Sequence, residues 1–344
     1  MPAPIRVFMI TSDWPDHASW GGTATFISRQ VDFLRAAGVD VDVFRFRGVG
    51  NPLRYASAWV GVQRRLRRGR YDLVHAQFGQ SGLLALPKSL PLVVTFRGDD
   101  LEGVLNKTTG RLTARGRLLP MLSRVVARRA DATIVVSAHM TAFLHRQARP
   151  HVIPSGLDLE RFRLIPQAEA RRHLGLPSDR RLVLFVGSPT SSRKRYDLAR
   201  QAVEIVQRTQ PADLVLGWAV PHEQIPYFMN ACDAMVFTSR QEGSPNVVKE
   251  ALACNLPVVS VAIGDVPERL RDLAGCEVSA DDRPETIAAA LVRVLDRGKR
   301  VAGRERMLEL DEHVITERVI GVYRSVLAHG NGNGNGNGRR DSAP

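Results

Sequence analysis

Short apolar runs rich in β-branched residues alternate along the chain with stretches of helical periodicity, such as residues 23–37 and 117–129. The apolar runs cover residues 5–10, 39–44, 73–75, 92–96, 132–136, 151–153, 182–186, 212–216, 234–238, 258–261 and 276–278. Continuous apolar strands that alternate with helices are typical of parallel sheets covered by helices on both faces. The pattern therefore predicts an α/β protein with doubly wound, Rossmann-like sheets.

The turn residues Pro154, Ser155 and Gly156 follow the sixth apolar run and mark the best domain boundary. The sequence predicts an N-terminal domain of residues 1–153 and a C-terminal domain of residues 154–328, facing each other across a cleft. The last helical stretch, residues 309–328, is expected to pack back on the N-terminal domain. The Gly/Asn repeat that follows cannot bury an apolar face, so residues 329–344 are expected to form a disordered tail.

The composition fits this organisation, because 344 residues with 44% hydrophobic content suffice for two buried cores. The apolar runs fall well short of the roughly 18 residues that span a bilayer. The N-terminal run is also too short and wrongly flanked for a signal peptide. Cys232, Cys254 and Cys276 are odd in number and form no CxxC pair. They are expected to be reduced, mostly buried thiols of a cytoplasmic protein.

The formal net charge of +13 is unevenly distributed, with two basic clusters in the N-terminal half. Their members are Arg64, Arg65, Arg67, Arg68 and Arg70, and Lys107, Arg111, Arg115, Arg117, Arg124, Arg128 and Arg129. Cationic segments interleaved with Leu, Val and Met can lie against anionic lipid, where each basic side chain contributes about 1 kcal/mol. A solvated basic face of ordinary helices is the alternative, so peripheral contact with the inner face of the plasma membrane stays open. Nucleic acid is disfavoured, because the clusters lack stacking aromatic residues and known binding signatures.

Ligands of open α/β sheets bind outside the carboxyl ends of the strands, which here points to the cleft between the domains. Polar residues after the first strand include Asp13, Trp14 and Trp20, followed by Gly21 and Gly22 at the start of a helix. A glycine pair at a helix N-terminus lets backbone N–H groups approach a phosphate, although a glycine pair more often forms just a loop. The spacing is not the GxGxxG of dinucleotide-binding proteins.

A second polar cluster, Arg97-Gly98-Asp99-Asp100, follows the strand at residues 92–96. Its charges could grip a sugar or a phosphate, or they could pair with one another. Asp99 and Asp100 have no companion set of metal ligands, so no metal site is predicted.

A third cluster follows the first strand of the C-terminal domain. Gly187 and Ser188 open a loop of small residues that ends in Arg193, Lys194 and Arg195. Adjacent cations behind such a loop would stabilise a diphosphate and the negative charge that develops as a diphosphate leaves.

The fourth cluster is the strongest, because two acids flank a helix start. Glu242 lies on the loop after the strand at 234–238, and Glu250 lies about a turn and a half inside the next helix. Ser244 is predicted to cap this helix, with Pro245 as its first residue. A carboxylate can accept two hydrogen bonds from vicinal hydroxyls, while free N–H groups at the helix start suit a phosphate. An acidic loop beside an ordinary surface residue of a helix is the alternative.

The segment from Glu242 to Glu250 resembles the EX7E motif of the family 4 retaining glycosyltransferases, which have the GT-B fold. The resemblance extends in order over most of the chain. It covers the glycine pair Gly21-Gly22 and residues 71–76, 130–137, 152–158, 231–233 and 256–259.

The resemblance implies transfer of a sugar from a UDP-, GDP- or ADP-sugar to a hydroxyl acceptor, with retention of configuration and without a metal. Polysaccharide (including exopolysaccharide), glycolipid or other glycan assembly is the expected setting. Glu250 would bind the donor ribose and Glu242 the donor sugar, while Arg193 and Lys194 neutralise the departing diphosphate. Gly22 and the amides around Ser244, Asn246 and Val247 would also contact phosphate, in a donor site that includes Gly21, Gly187, Ser188 and Gly243. The N-terminal domain would bind the acceptor, with Asp13, Trp14, Trp20 and Asp99 as candidates.

Some positions depart from the family pattern. Arg97 stands where members commonly carry a His that contacts the donor sugar, so Arg97 is a candidate catalytic residue and a candidate determinant of sugar preference. Ser188 replaces a phosphate-binding Arg, and the nucleobase pocket is placed around residues 218–221. A nicotinamide dehydrogenase is disfavoured, since GxGxxG is absent. A sugar-nucleotide epimerase and a nucleotide-sugar-binding protein without transferase activity remain alternatives.

Overall fold

The computed structural model describes residues 3–14, 25–47, 52–106, 109–145 and 148–332. Two parallel sheets form its framework, with strand orders β2-β1-β3-β4-β5-β6 and β11-β10-β9-β7-β8. The strands are β1 Arg6–Thr11, β2 Asp40–Arg45, β3 Leu73–Gln77, β4 Leu92–Phe96, β5 Ala132–Val135, β6 His151–Val152, β7 Arg181–Val186, β8 Ala212–Gly217, β9 Ala234–Phe237, β10 Val258–Ser260 and β11 Glu277–Val278. The predicted pair of parallel-sheet α/β domains is confirmed, because each apolar run forms a strand at nearly its predicted place.

Helices connect the strands and cover both sheets. They are α1 Thr25–Ala36, α2 Pro52–Arg68, α3 Gly79–Gly82, α4 Asp99–Glu102, α5 Ala114–Arg129, α6 Gln167–Leu174, α7 Tyr196–Val206, α8 Ile225–Ala231, α9 Asn246–Ala253, α10 Val266–Leu270, α11 Pro284–Arg297, α12 Gly303–Met307 and α13 Glu312–Gly332. Short 3-10 turns lie at Leu83–Ala85, Ala138–Phe143, His222–Gln224 and Leu308–Leu310.

The two faces of the N-terminal sheet carry different helices. Successive residues of a strand point to opposite faces, so Val7 and Met9 of β1 pack in the core that contains α1 and α13. Phe8 and Ile10 pack in the core that contains α2 and α5. The apolar runs are unbroken because both faces of this sheet are buried.

The chain leaves the N-terminal sheet between Ile153 and Leu157. The Ile153 N–H still donates to the Val135 carbonyl of the N-terminal sheet, whereas the Leu157 N–H donates to the Leu310 carbonyl at 2.8 Å. The residues between them, Pro154 to Gly156, form the interdomain linker.

Helix α13 starts beside this linker and packs on the N-terminal domain. The Arg29 guanidinium on α1 donates to Glu312 at 2.8 Å and to the Gly156 carbonyl at 2.7 Å. Further along α13, the buried Tyr323 hydroxyl lies 2.6 Å from Nδ1 of His75 on β3.

Helix α13 continues to Gly332, past residue 329, at which the tail was predicted to start. Extending an existing helix gains one hydrogen bond for each residue fixed, so a helix can run past its last apolar contact. Residues 333–344 lie outside the described part of the chain.

Two further features of the described chain are the state of its cysteines and the length and apolar character of its helices. All three cysteines are free thiols; Cys232 and Cys254 are buried and Cys276 is partly buried. Among the described residues, we find no helix with the length and apolar character needed to cross a membrane.

Candidate active site

The loops that follow β7 and β9 meet at the carboxyl edge of the C-terminal sheet, because these strands are neighbours. The Thr238 hydroxyl donates to the carbonyls of Lys194 and Arg195, at 2.9 and 3.0 Å, and so ties the two loops together. The Lys194 ammonium then reaches Glu242, with Nζ 2.7 Å from Oε1. Gly187 lies against the Lys194 side chain. The third and fourth polar clusters of the sequence therefore form one site.

Glu242 is ionised in this site despite its burial. Burial by itself raises the pKa of Glu242, but the positive charges of Lys194 and Arg193 outweigh it, and the net pKa lies below the ordinary value. An ammonium has three donors, so Lys194 can bond Glu242 and still donate to a second anion.

Arg193 faces the opposite domain. Its guanidinium lies 3.5 Å from the carboxylate of Asp99, the first residue of α4. Burial raises the pKa of Asp99, and the nearby Arg193 opposes that rise. The predicted acceptor residue Asp99 and the predicted phosphate residue Arg193 thus meet across the cleft.

The two domains touch closely at Gly243. A Cβ atom added there would lie 2.5 Å from the Arg97 carbonyl oxygen, well inside van der Waals contact. Beside this point, the Gln241 amide donates to the Gly103 carbonyl at 2.8 Å, and the Ser192 hydroxyl donates to the Asn106 carbonyl at 3.2 Å. The segment between β4 and α5 therefore packs directly on the two loops that carry Lys194 and Glu242.

Gly243→Ala is expected to push the domains apart, since overpacking of this kind costs about 1–3 kcal/mol. We expect a larger radius of gyration in small-angle X-ray scattering, because the added methyl group cannot fit against the Arg97 carbonyl. Gly321→Ala on α13 is the matched control, because a Cβ atom at Gly321 would meet nothing within 4 Å. Unchanged scattering for Gly243→Ala would contradict this close approach.

Helix α9 begins one residue later than predicted. Pro245 is its N-cap, with φ −69° and ψ 116° and no side-chain cap bond. The predicted cap, Ser244, donates its hydroxyl to Asp265 at 2.8 Å instead. This charge-assisted bond holds the Ser244 side chain toward Asp265. Val247 lies in the first turn of α9, and the buried Oδ1 of Asn246 has no hydrogen-bond partner within the described structure.

Glu250 lies in the middle of α9 and is buried, with 8% of its surface exposed. Burial lowers the pKa of His222, and the negative charge of Glu250 opposes this change by stabilising the protonated imidazole. Glu250 therefore lies within electrostatic range of His222, which directly follows residues 218–221, the predicted nucleobase segment. In the described ranges, no side chain is hydrogen-bonded to the Glu250 carboxylate.

Arg97 is held by several partners from the N-terminal domain and the linker. Its guanidinium donates to Gln77 at 2.7 Å and to Gln30 at 3.2 Å, and to the Ser155 hydroxyl at 2.7 Å. It also lies over the Phe26 ring, 4.6 Å from the centroid. Burial lowers the pKa of Arg97 to about 10, so it remains charged at neutral pH.

The charges of the second cluster do not pair with one another. Asp100 is buried and accepts the backbone N–H groups of Arg97, Gly98 and Gly79 at 3.0–3.1 Å. Burial raises the pKa of Asp100 to about 6, against the effect of these bonds. Asp100 therefore shapes the loop that presents Arg97 and Asp99.

Lys249 was missed by the sequence analysis. It is fully buried on α9 and donates to the Ser155 carbonyl at 3.0 Å. Burial lowers its pKa to about 7. The available signal was a lysine inside the otherwise apolar run Val247-Val248…Ala251-Leu252, beside Glu250.

Lys249→Met is expected to stabilise the protein by about 2–4 kcal/mol near neutral pH, because it removes a buried charge. In the native chain, stability falls as pH drops from 10.5 toward about 7, since only the unfolded lysine takes up a proton there. Urea unfolding across this pH range measures the free energy of unfolding of both proteins. The difference in this free energy between variant and native protein should shrink at high pH.

Lys299→Met, at an exposed lysine of the same domain, is the control and should change stability little at any pH. A Lys249→Met protein less stable than the native protein at neutral pH would show that the neighbouring Asp265 and Glu250 outweigh the cost of burial.

The remaining predicted residues fall in two groups. Asp13 is partly buried, and this burial raises its pKa. The Arg45 guanidinium carbon lies 5.0 Å from the centroid of the Trp14 ring. The Ser188 hydroxyl is 3.0 Å from the Thr190 hydroxyl. Trp20, Gly21 and Gly22 lie outside the described residues. The acceptor role of Asp13, Trp14, Trp20 and Asp99 stays a prediction.

Two facing α/β domains with paired charges at the cleft define a GT-B architecture. Residues 20–161 match the model of Glycosyltransferase Family 4, and residues 210–297 match Glycosyl transferases group 1. The chain belongs to the family 4 glycosyltransferases of the GT-B fold.

Relatives among characterised sequences include the putative teichuronic acid biosynthesis glycosyltransferase TuaC of Bacillus subtilis. It is 29% identical over 57% of this chain and 54% of its own length. A D-inositol 3-phosphate glycosyltransferase of Thermobispora bispora is 28% identical over 68% of this chain and 64% of its own length. The chain thus spans less than two thirds of these two relatives.

Solved structures share the fold. Sucrose-phosphate synthase from Thermosynechococcus elongatus superposes with a TM-score of 0.78 at 21% identity, over 94% of this chain and 100% of that chain. HepE of Anabaena, solved with UDP and glucose, gives 0.68 at 16% identity, over 93% and 100%.

Proposed function

We propose that this protein is a glycosyltransferase that moves a sugar from a nucleotide-sugar donor to a hydroxyl acceptor with retention of configuration. The observation that carries the proposal is the cleft cluster in which Lys194 bonds the ionised Glu242 at 2.7 Å beside Arg193. A carboxylate that can accept hydrogen bonds from sugar hydroxyls lies next to cations that can stabilise the negative charge of a leaving diphosphate, as this chemistry requires.

In the proposed reaction, the bond between the anomeric carbon and the diphosphate oxygen breaks first. Arg193 and Lys194 stabilise the charge that collects on the diphosphate. The acceptor oxygen attacks the same face of the sugar, and its proton passes to the departing phosphate. No strong protein base is needed for this step, and the reaction is proposed to be independent of metal.

Glu250 and residues 218–221 are proposed to hold the nucleoside. Glu250 is buried and its charge acts on His222, the residue after that segment, so we propose that its carboxylate accepts hydrogen bonds from both ribose hydroxyls. UDP in the HepE structure supports a uridine donor, with GDP- and ADP-sugars as the other candidates. The acceptor is proposed to be a glycan or a lipid-linked saccharide on the cytoplasmic side, in polysaccharide or glycolipid assembly.

A thermal-shift screen against UDP, GDP, ADP and their sugars tests the donor site. A ligand at 100 times its dissociation constant adds about 2.7 kcal/mol of stability. Donor consumption is then followed with and without candidate acceptors, and the anomeric configuration of the product is read by NMR. Stabilisation by a nucleotide with an unchanged pool of every donor would favour a binding protein, and epimerised donor without an acceptor would favour an epimerase.

A further inference from the structure

The two basic clusters of the N-terminal domain lie on one side of its sheet. Helices α2 and α5 both pack on the face that carries Phe8 and Ile10, through Val62 and Val126. We call the outer surface of these two helices the α2–α5 face. Neither helix contains an acidic residue, and neither does the segment 79–91 that lies between them in sequence.

The exposed side of α5 is apolar along its centre. Leu118, Met121 and Val125 are 52%, 61% and 44% exposed. Their spacing of three and four residues places them in one stripe of the helix. Large apolar side chains that line up in solvent are unusual on a protein surface and mark a contact site.

Arginines border this stripe. Arg117, Arg124 and Arg128 follow each other at helical spacing along one side of it, and Arg129 lies on the other. All four are exposed. An apolar stripe between arginines is the pattern of a helix that lies in the interface of a bilayer.

Helix α2 adds a second strip of the same character. Leu53 near its start is 78% exposed, and Val60 at its middle is also exposed. Near its end the exposed residues are Arg64, Arg67 and Arg68. Trp59, also exposed, donates its indole N–H to the Leu86 carbonyl at 2.7 Å and so joins α2 to the segment before β4.

We infer that the α2–α5 face docks this protein on an anionic lipid bilayer. The arginines contact acidic headgroups, while Leu118, Met121 and Val125 enter the boundary between headgroups and acyl chains. A nucleic acid would pair with the cations but would leave the apolar stripe uncovered. A second copy of this chain would bring two strongly cationic surfaces together, which repel each other.

The same face reaches the rim of the cleft. Exposed Val104 and Leu112 lie next to the start of α5, in the segment whose Gly103 carbonyl binds Gln241 of the opposite domain. Docking would therefore hold the cleft entrance at the membrane surface, where a lipid-linked acceptor is found. The docking itself does not depend on the donor chemistry, so it can fail or hold independently of the proposed transfer.

Flotation with lipid vesicles tests the inference on the full chain. The native protein should float with vesicles of phosphatidylcholine and phosphatidylglycerol, and at least tenfold less with phosphatidylcholine alone. Binding should weaken as salt increases, because a Debye length of about 10 Å at 0.1 M screens the headgroup charge. The triple variant Leu118→Ser, Met121→Ser, Val125→Ser should lose at least tenfold of the binding with its net charge unchanged.

Two double charge-reversal variants provide the matched comparison. Arg117→Glu with Arg128→Glu should abolish flotation, whereas Arg172→Glu with Arg208→Glu makes the same change of net charge at exposed positions of the other domain and should leave it intact. Circular dichroism melting and nucleotide-induced thermal shifts establish that each variant is folded. Absence of binding to the anionic vesicles at low salt, equal losses in both charge variants, or an α5 variant that changes only the oligomeric state would each overturn the inference.

Discussion

Glu250→Ala is expected to reduce transfer from the nucleotide-sugar donor by at least about 100-fold, because it removes two charge-assisted hydrogen bonds to vicinal hydroxyls. Each such bond contributes about 1.5–3 kcal/mol. The loss should appear in donor binding, measured by calorimetry with the free nucleotide, as well as in kcat/KM. Glu250→Gln keeps the volume and part of the hydrogen bonding, so it should lie between the alanine variant and the native protein.

Glu204→Ala is the matched control for this experiment. Glu204 is an exposed glutamate on α7 of the same domain, paired with Arg200 across one turn. Exposed pairs of this kind contribute about 0–1 kcal/mol, so this variant should keep native binding and rate. A Glu250→Ala protein that binds nucleotide and transfers sugar like the control would place the nucleoside elsewhere.

Lys194→Met is expected to lower kcat/KM by about 100- to 1,000-fold, the size of effect seen when one preorganised donor to a developing charge is removed. The variant also takes away the closest cation from the buried Glu242. Burial then acts on the pKa of Glu242 with less opposition, so the pKa rises. The acid limb of the rate profile should accordingly move to higher pH.

The shift of this profile distinguishes a direct role from a loss of folding. A variant that was merely unfolded in part would lose amplitude at all pH values without moving the limb. Lys299→Met, at an exposed lysine, should change neither the amplitude nor the limb. An unmoved acid limb in an active Lys194→Met protein would contradict the coupling between Lys194 and Glu242.

The strands could be predicted well because their signal is local. Apolar runs bounded by polar residues translate directly into buried parallel strands, and ligand loops at the carboxyl ends follow from the topology. The same logic brought Lys194 and Glu242 to one edge, since β7 and β9 are neighbours in the sheet. The sequence therefore located both loops, whereas the contact between the ammonium and the carboxylate became visible only in the structure.

The features that could not be predicted depend on residues distant in sequence. Ser244 was predicted to cap α9, but its hydroxyl donates a hydrogen bond to Asp265, which is distant in sequence. Lys249 drew no prediction, because the linker residue Ser155 that accepts its hydrogen bond is distant in sequence. The partners of Arg97 come from α1, β3 and the linker, so no local pattern revealed how firmly the guanidinium is held.

The return of α13 to the N-terminal domain has a consequence for synthesis of the protein. Tyr323 completes the burial of His75, yet the ribosome makes it nearly 250 residues later. Domains usually fold in order as the chain emerges, at about 5–20 residues per second. The N-terminal domain of this chain therefore keeps one apolar face exposed until α13 has been synthesised. Chaperones can bind this apolar surface during that interval. Truncation before Glu312 would make that exposure permanent.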